Sequence, residues 1–541
     1  MQLNWQRYRL VLGLTIALVL GSWGAIATPV RAAETVVVRK GIASVSVAVD
    51  DLREFARTGK IPVSLAGYGT LLSPEQRRQV LEALNINLSL DRASVQNLLN
   101  TQIGETILDG ISTVTAEPGG EALKGALIAS AEDPQGLSVL GFLEAYPNPE
   151  LRIDLDAAFA IFARLNRSFW QTQQFMVEMA DELEATTPDV AVPFDPTQPG
   201  AATVEVIPLQ FEDEGRNRTI LADLYWSQTV GSDRPLVVFT HGRGSVRNEL
   251  DYLARHLASH GFGFLALEHP GSNQVYIDRA LALQPEELLE RPRDISFVLD
   301  ELAAGVEMDP QIRRSLNPER VLAIGYSLGG STALAIAGGE FQLESLRERC
   351  RTEAVRFSVG QITQCIASQL PEDRYRLYDP RVKAAIALNP TASLLFGETG
   401  LARVEVPTLI FSVSADKLTP ALSDQIGIFP QLRAPKWLVG VVGGTHLSVK
   451  DPAFVKDQSQ RPNTPLSGNE VFGVATADIR NYAKAFTLAM AAQLTPDARE
   501  YEIFLTPEYF RSISTDAFPV RLVTEIPDEI QVLVEAFLEK N

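Results

Sequence analysis

The sequence predicts an α/β protein: a mostly parallel, doubly wound sheet opened by an antiparallel hairpin and preceded by a small, mostly helical domain. Two observations carry the sheet. Short continuous apolar runs alternate with helical segments from Leu236 onward, which is how parallel strands buried on both faces read. Just before them, Val204 to Phe211 and Thr219 to Trp226 are two strand-like runs around the polar turn Glu212 to Asn217, a hairpin pattern. A third observation separates the front of the chain, where residues 34–185 carry mainly helical periodicity.

Within that front domain, Thr35 to Val38 and Ser44 to Val49 are the β-like stretches. Ser73 followed by Pro74 signals a helix start, with the Ser as cap and the Pro at the first helical position. Further helices are expected over Ser94 to Ile111 and Glu121 to Ala131. A long one from Asp156 to about Leu183 places Phe159, Phe162, Leu165, Phe169, Met176, Met179 and Leu183 on one stripe, read as core with a lipid-contacting face as the alternative. Residues 186–202 contain Pro188, Pro193, Pro196 and Pro199 without periodicity, and so read as a stiff, extended linker. A second domain then runs over 203–541, its strands expected at Leu236 to Thr240, Gly263 to Leu267, Val321 to Ile324, Val382 to Leu388, Thr408 to Val413 and Trp437 to Val442. Residues 339–380 and 451–541 exceed what such a sheet needs. The first reads as a cap insertion, the second as a C-terminal extension.

The 541 residues carry 67 acidic against 48 basic side chains, a formal charge of −19. Such a surface repels phosphate backbones and anionic bilayers, so no nucleic-acid partner is expected. Residues 1–32 hold Arg7 and Arg9, an apolar run from Leu10 to Ile26, and small residues up to Ala32, the layout of a secretory signal. Export is therefore expected, to the periplasm or the medium, and removing those residues with Arg7, Arg9 and Arg31 takes the charge from −19 to −22. Left uncleaved, the run would be a membrane anchor, the one membrane contact foreseen. The two cysteines, Cys350 and Cys365, both fall in the cap insertion and suit a disulfide in an oxidising compartment. Two free buried thiols are the alternative. No metal-ligand spacing is present, and the sequence does not define an oligomeric state.

Gly325-Tyr326-Ser327-Leu328-Gly329 directly follows a predicted strand and opens a helix of small residues, the nucleophile-elbow pattern. A serine hydroxyl needs a base, and in chains carrying this elbow the base comes last, after the acid. His241, His256, His260 and His269 all precede Ser327. His446, just after the last predicted strand, is left. The acid should end a strand between them, which selects Asp416 after Thr408 to Val413, with Glu398 and Asp424 less well placed. The oxyanion of the tetrahedral intermediate needs backbone donors, assigned to the N–H of Leu328 and to that of Arg243 in the turn Thr240 to Gly244. Phe341, Leu343, Leu346, Phe357 and Ile362 are candidates for an acyl pocket, with core packing as the alternative.

Phe239 to Gly244 (FTHGRG), Glu268 to Ser272 (EHPGS), Arg291 to Ile295 (RPRDI), Gly325 to Gly330 (GYSLGG) and Gly444 to His446 (GTH) together resemble the dienelactone-hydrolase and platelet-activating-factor acetylhydrolase branch of the α/β-hydrolases. The resemblance covers Val204 to Val449. It implies a serine ester hydrolase without cofactor, acting on a small-molecule ester or lipid, with nucleophile, acid and base at Ser327, Asp416 and His446. Dienelactone hydrolases proper use a Cys nucleophile, so their substrate does not transfer. Residues 34–160 resemble a helical domain of unassigned function found ahead of secreted bacterial hydrolases. Peptidase or thioesterase chemistry uses the same triad, and a binding protein on a hydrolase fold is the non-enzymatic alternative.

Overall fold

A computed structural model describes residues 33–539 apart from short segments at 67–71, 89, 101, 116–119, 134–135, 163–164, 180–188, 280–282, 306–307, 434 and 456–462. The export signal expected over residues 1–32 therefore lies outside the described residues. Among the described residues no helix is long and apolar enough to cross a membrane.

The front domain has a core of its own, with Val36, Leu123, Leu143, Tyr146 and Leu151 fully enclosed. Its sheet is three-stranded: β1 (Thr35–Lys40) pairs antiparallel with β2 (Ala43–Ala48) and parallel with β3 (Glu150–Asp154). Helices α1 (Val49–Thr58) and α2 (Pro74–Leu84) follow β2. At α2 the Ser73 hydroxyl accepts from Gln76 N while the Gln76 side chain returns to Ser73 N, the capping box that Ser-Pro-x-Gln encodes. The helix expected over Ser94 to Ile111 is two, α3 (Arg92–Leu99) and α4 (Gln102–Thr115). Asn100 stands between them, a residue whose amide competes for backbone groups in a helix interior.

The long helix expected from Asp156 is also two, α5 (Leu155–Phe162) and α6 (Arg167–Glu178). Asn166 takes a left-handed conformation at φ 48° and turns the chain. The turn sends α6 away from the front core: Phe175 packs instead with Leu422, Val534 and Phe537 of the second domain. The boundary drawn at 185 thus falls too late, because α5 still packs on β1 and α2 while α6, after the Asn166 turn, packs on the other domain. The described part of the linker is not a free tether either. Phe194 inserts between Tyr501 and Phe504 at ring separations of 5.4 and 5.0 Å, and Gly200 N donates to Ser259 Oγ at 2.8 Å.

The second domain is built on nine strands. These are β4 (Glu205–Asp213), β5 (Arg218–Trp226), β6 (Leu236–Thr240), β7 (Phe264–Glu268), β8 (Val321–Tyr326), β9 (Val382–Leu388), β10 (Thr408–Val413), β11 (Lys436–Val441) and β12 (Val520–Val523). They lie in the order β12-β11-β10-β9-β8-β6-β7-β5-β4, with the six from β6 to β11 mutually parallel and both edges antiparallel. Alternate residues feed two cores. Leu236 and Val238 of β6 enter one and Val237 and Phe239 the other, so the strand reads as continuously apolar because both faces are covered.

Helix α7 (Glu287–Ala304) and α8 (Leu328–Ile336), which opens at the elbow, pack on the first face, and α9 (Leu343–Glu353) begins the cap insertion. Residues 451–541 are more than an extension. Helix α10 (Ala477–Ala492) is buried along most of its length in the second core, β12 closes the sheet edge, and α11 (Asp528–Glu539) covers α6.

In the cap insertion Phe341, Leu343, Leu346 and Phe357 are core residues and Ile362 packs against them, which leaves little of that set for an acyl pocket. Cys350 and Cys365 are disulfide-bonded across 5.7 Å between Cα atoms, both fully buried. Replacing both with Ala is expected to cost about 3 kcal/mol of stability, since the bond closes a loop of this length in the unfolded chain. Chemical denaturation of the double variant checks it. A midpoint equal to that of the parent would mean the bond contributes nothing.

Candidate active site

The elbow is visible as strain. Ser327 sits between β8 and α8 at φ 55° and ψ −117°, a conformation that non-glycine residues avoid. A Cβ at Gly325 would lie 1.9 Å from Gly329 O, and one at Gly329 would lie 2.0 Å from Thr240 O. Strand, turn and helix approach so closely here that only glycine fits at both positions.

Ser327, Asp416 and His446, from three different strand ends, meet in one hydrogen-bonded line. Ser327 Oγ is 3.0 Å from His446 Nε2, and His446 Nδ1 is 2.6 Å from Asp416 Oδ2. The Asp416 carboxylate is completely buried and held by further donors. Leu418 N and Thr419 N reach Oδ1, both at 2.8 Å, while Thr419 Oγ1 at 2.8 Å and Asn389 Nδ2 at 3.1 Å reach Oδ2. With so many donors on it the carboxylate stays an acceptor, which fixes the hydrogen on His446 Nδ1 and leaves Nε2 free to accept from Ser327. Tyr326 adds a brace from its hydroxyl to His446 O at 2.8 Å.

Electrostatics separates His446 from the other histidines. Burial pushes His241, His256, His260 and His269 below the ordinary imidazole value, His256 to about 3. Burial acts on His446 in the same sense, but the charge and hydrogen bond of Asp416, with Glu470 adding, more than offset it and raise its pKa. His241 and His269 instead knit the floor of the site in neutral form. His269 donates from Nδ1 to Asp294 at 2.9 Å and accepts at Nε2 from Thr240 at 2.8 Å, and its backbone N–H donates to His241 Nε2 at 3.0 Å. Arg291 of α7, fully buried, donates to Thr240 Oγ1 at 3.0 Å and to His241 O, tying that floor to the turn after β6.

That turn presents the second candidate oxyanion donor. Gly242 N donates to Glu249 Oε1 at 2.7 Å, Gly244 N to Ser272 O at 2.7 Å and Ser245 N to Gly242 O at 3.3 Å. The amide of Arg243 has no acceptor among the described residues, and neither does that of Leu328. Glu249 also takes an ion pair from Lys450 at 2.8 Å and so holds the turn against the segment after His446. Asn389, Thr419 and Glu249 escaped the sequence reading. Only Asn389 had a signal, as the polar residue ending a strand where an acid was sought and not found. Asp424, the rival acid, accepts from Ala392 N, Ser393 N and Gln364 and makes no contact with His446.

Two family models match the chain, one described as an alpha/beta hydrolase of unknown function over residues 32–154 and one as the alpha/beta hydrolase fold over residues 235–344. With the sheet and its helices, they support assignment of the chain to the α/β-hydrolase superfamily. Among curated relatives it is similar to the platelet-activating factor acetylhydrolase of Bos taurus, at 25% identity over 28% of this chain. The match spans 41% of that relative's length, well under two thirds.

Proposed function

We propose that this protein is a hydrolase, an exported serine esterase that cleaves carboxylic esters of small molecules or lipids through an acyl-enzyme on Ser327. The observation that carries the proposal is the continuous line from Asp416 through His446 to Ser327, in a site with two backbone amides that have no acceptor among the described residues. In this reading Ser327 Oγ attacks the ester carbonyl as its proton passes to His446 Nε2, and the imidazolium is stabilised by Asp416. The oxygen that gains charge is met by the N–H groups of Leu328 and Arg243. The imidazolium then protonates the departing alkoxide, and water repeats the sequence to release the acid. The resemblance to an acetylhydrolase favours an ester substrate. The buried disulfide favours an oxidising compartment and, with the signal-like residues 1–32, export.

The test is a panel of p-nitrophenyl esters of graded acyl length, with an anilide and a thioester of one acyl group, alongside labelling by a fluorophosphonate probe. Ester turnover with labelling at Ser327 is expected. Turnover confined to the anilide or the thioester would replace the ester reading, and no labelling would remove the nucleophile.

The raised pKa of His446 sets a pH dependence. The base must be neutral to accept a proton, so the rate falls as pH drops through the His446 value, and that value lies above the ordinary ~6.5. The acidic limb of kcat/KM is therefore expected above pH ~6.5. A limb well below it would mean that His446 is not the base.

A further inference from the structure

The front domain contains a cleft that the chemistry at Ser327 does not use. It opens between the β1–β2 hairpin and helices α1 and α2, holds about 130 Å³, and is lined almost wholly by apolar side chains such as Val38, Val45, Leu52, Phe55 and Val80. Domain interiors normally close voids of this size, and apolar cavities of about 150 Å³ stay dry and admit benzene. There is room for one stretch of alkyl chain, not for a pair of acyl chains.

Two further observations say what fits. Ile42 and Val63, at 108% and 94% of full exposure, are the most exposed large apolar side chains described in the protein, and each adjoins wall residues of the cleft, Ala43 and Pro62. Exposed apolar side chains therefore stand one residue along the chain from the apolar wall. The wall also carries one cation that the fold leaves alone. Arg77 Nε is buried without an acceptor, and the guanidinium has no ion pair among the described residues, whereas Arg78 beside it pairs with Glu75 and Glu82. In a chain of net charge −19, an unpaired guanidinium at the edge of an apolar cleft is matched by an amphiphile's anionic head. We propose that this cleft binds a single alkyl carboxylate, its chain among the valines and its carboxylate on Arg77. No triad residue lines the cleft, so the proposal stands or falls apart from the catalytic reading.

The test is calorimetric titration of the full chain with monomeric decanoate, with decanol as the uncharged control and phosphatidylcholine–phosphatidylglycerol vesicles as the bilayer control. Two variants are compared, Ala43→Phe to fill the cleft and Arg77→Gln to remove the cation. One decanoate site is expected, abolished by Ala43→Phe and weakened about tenfold by Arg77→Gln, with decanol binding no better than decanoate does to Arg77→Gln. Hydrolysis of a short soluble ester should be unchanged in both variants. Absent decanoate binding, or equal binding to Ala43→Phe, overturns the proposal. If Ala43→Phe does not fold, undiminished affinity in Arg77→Gln overturns it. Vesicle binding without decanoate binding also overturns it, and makes the exposed rim a bilayer contact instead.

Discussion

Ser327→Ala is expected to lower ester turnover on the order of a millionfold, with His446→Ala close behind and the double variant little worse, because nucleophile and base act as one unit. The geometry makes the loss specific. Ser327 is only half-buried, and its hydroxyl has one side-chain partner, His446 Nε2, so Ala removes the attacking oxygen without orphaning a core group. The strained backbone at φ 55° comes from the neighbouring glycine contacts, which Ala leaves in place, so the thermal midpoint should barely move. Rates on the best ester of the panel, with melting curves alongside, decide it. Near-normal turnover in a folded Ser327→Ala chain would end the assignment.

The second large effect is expected at Asp416. Asp416→Asn keeps size and shape but should lower kcat about ten-thousandfold, by analogy with triads in which the acid sets the tautomer. An Asn amide nitrogen facing Nδ1 donates, which would move the imidazole hydrogen to Nε2 and leave no acceptor for the serine proton. Rotating the amide does not help, because both carboxylate oxygens already accept from neighbours: Leu418 N and Thr419 N on one side, Thr419 Oγ1 and Asn389 Nδ2 on the other. The charge that raises the His446 pKa goes as well, so residual activity should show its acidic limb shifted to lower pH. A loss under tenfold, or an unmoved limb, would transfer the orienting role elsewhere.

Much of the fold was legible, and for a physical reason. Parallel strands buried on both faces are continuous apolar runs, and six such runs from Leu236 to Val442 appear as β6 to β11 within a residue or two. The nucleophile and base positions follow from chain order and strand ends, which are local. What escaped depends on contacts distant in sequence. Asn389 and Thr419 matter because they reach Asp416 in space, and no spacing rule marks them. β12 is four residues long and exists by pairing with β11. From Ala485 to Ala492 helix α10 is buried on every side and apolar but for Thr487, so that half carries no stripe to announce what it packs on. The front-domain boundary was misplaced because Phe159 to Met179 keep helical spacing straight through Asn166, and only the structure shows the chain reversing its allegiance there.

Helix α6 has a consequence for how this protein comes to be active. Asn166 Nδ2 donates to Lys417 O and Pro465 O, Gln173 Nε2 to Ser414 O, and Gln171 Nε2 to Phe537 O, while Thr172 Oγ1 accepts from Leu422 N. These partners lie 241 to 366 positions further along the chain. Three of them, at residues 414, 417 and 422, bracket Asp416. The backbone that aims Asp416, the proposed catalytic acid, is thus clasped by a segment made long before it, and the clasp cannot shut until nearly the whole chain has been synthesised. Contacts of such separation form late, since their loop-closure entropy is met before they give anything back. During refolding, recovery of hydrolysis should trail recovery of the sheet, and the lag should shorten neither with substrate nor with reductant.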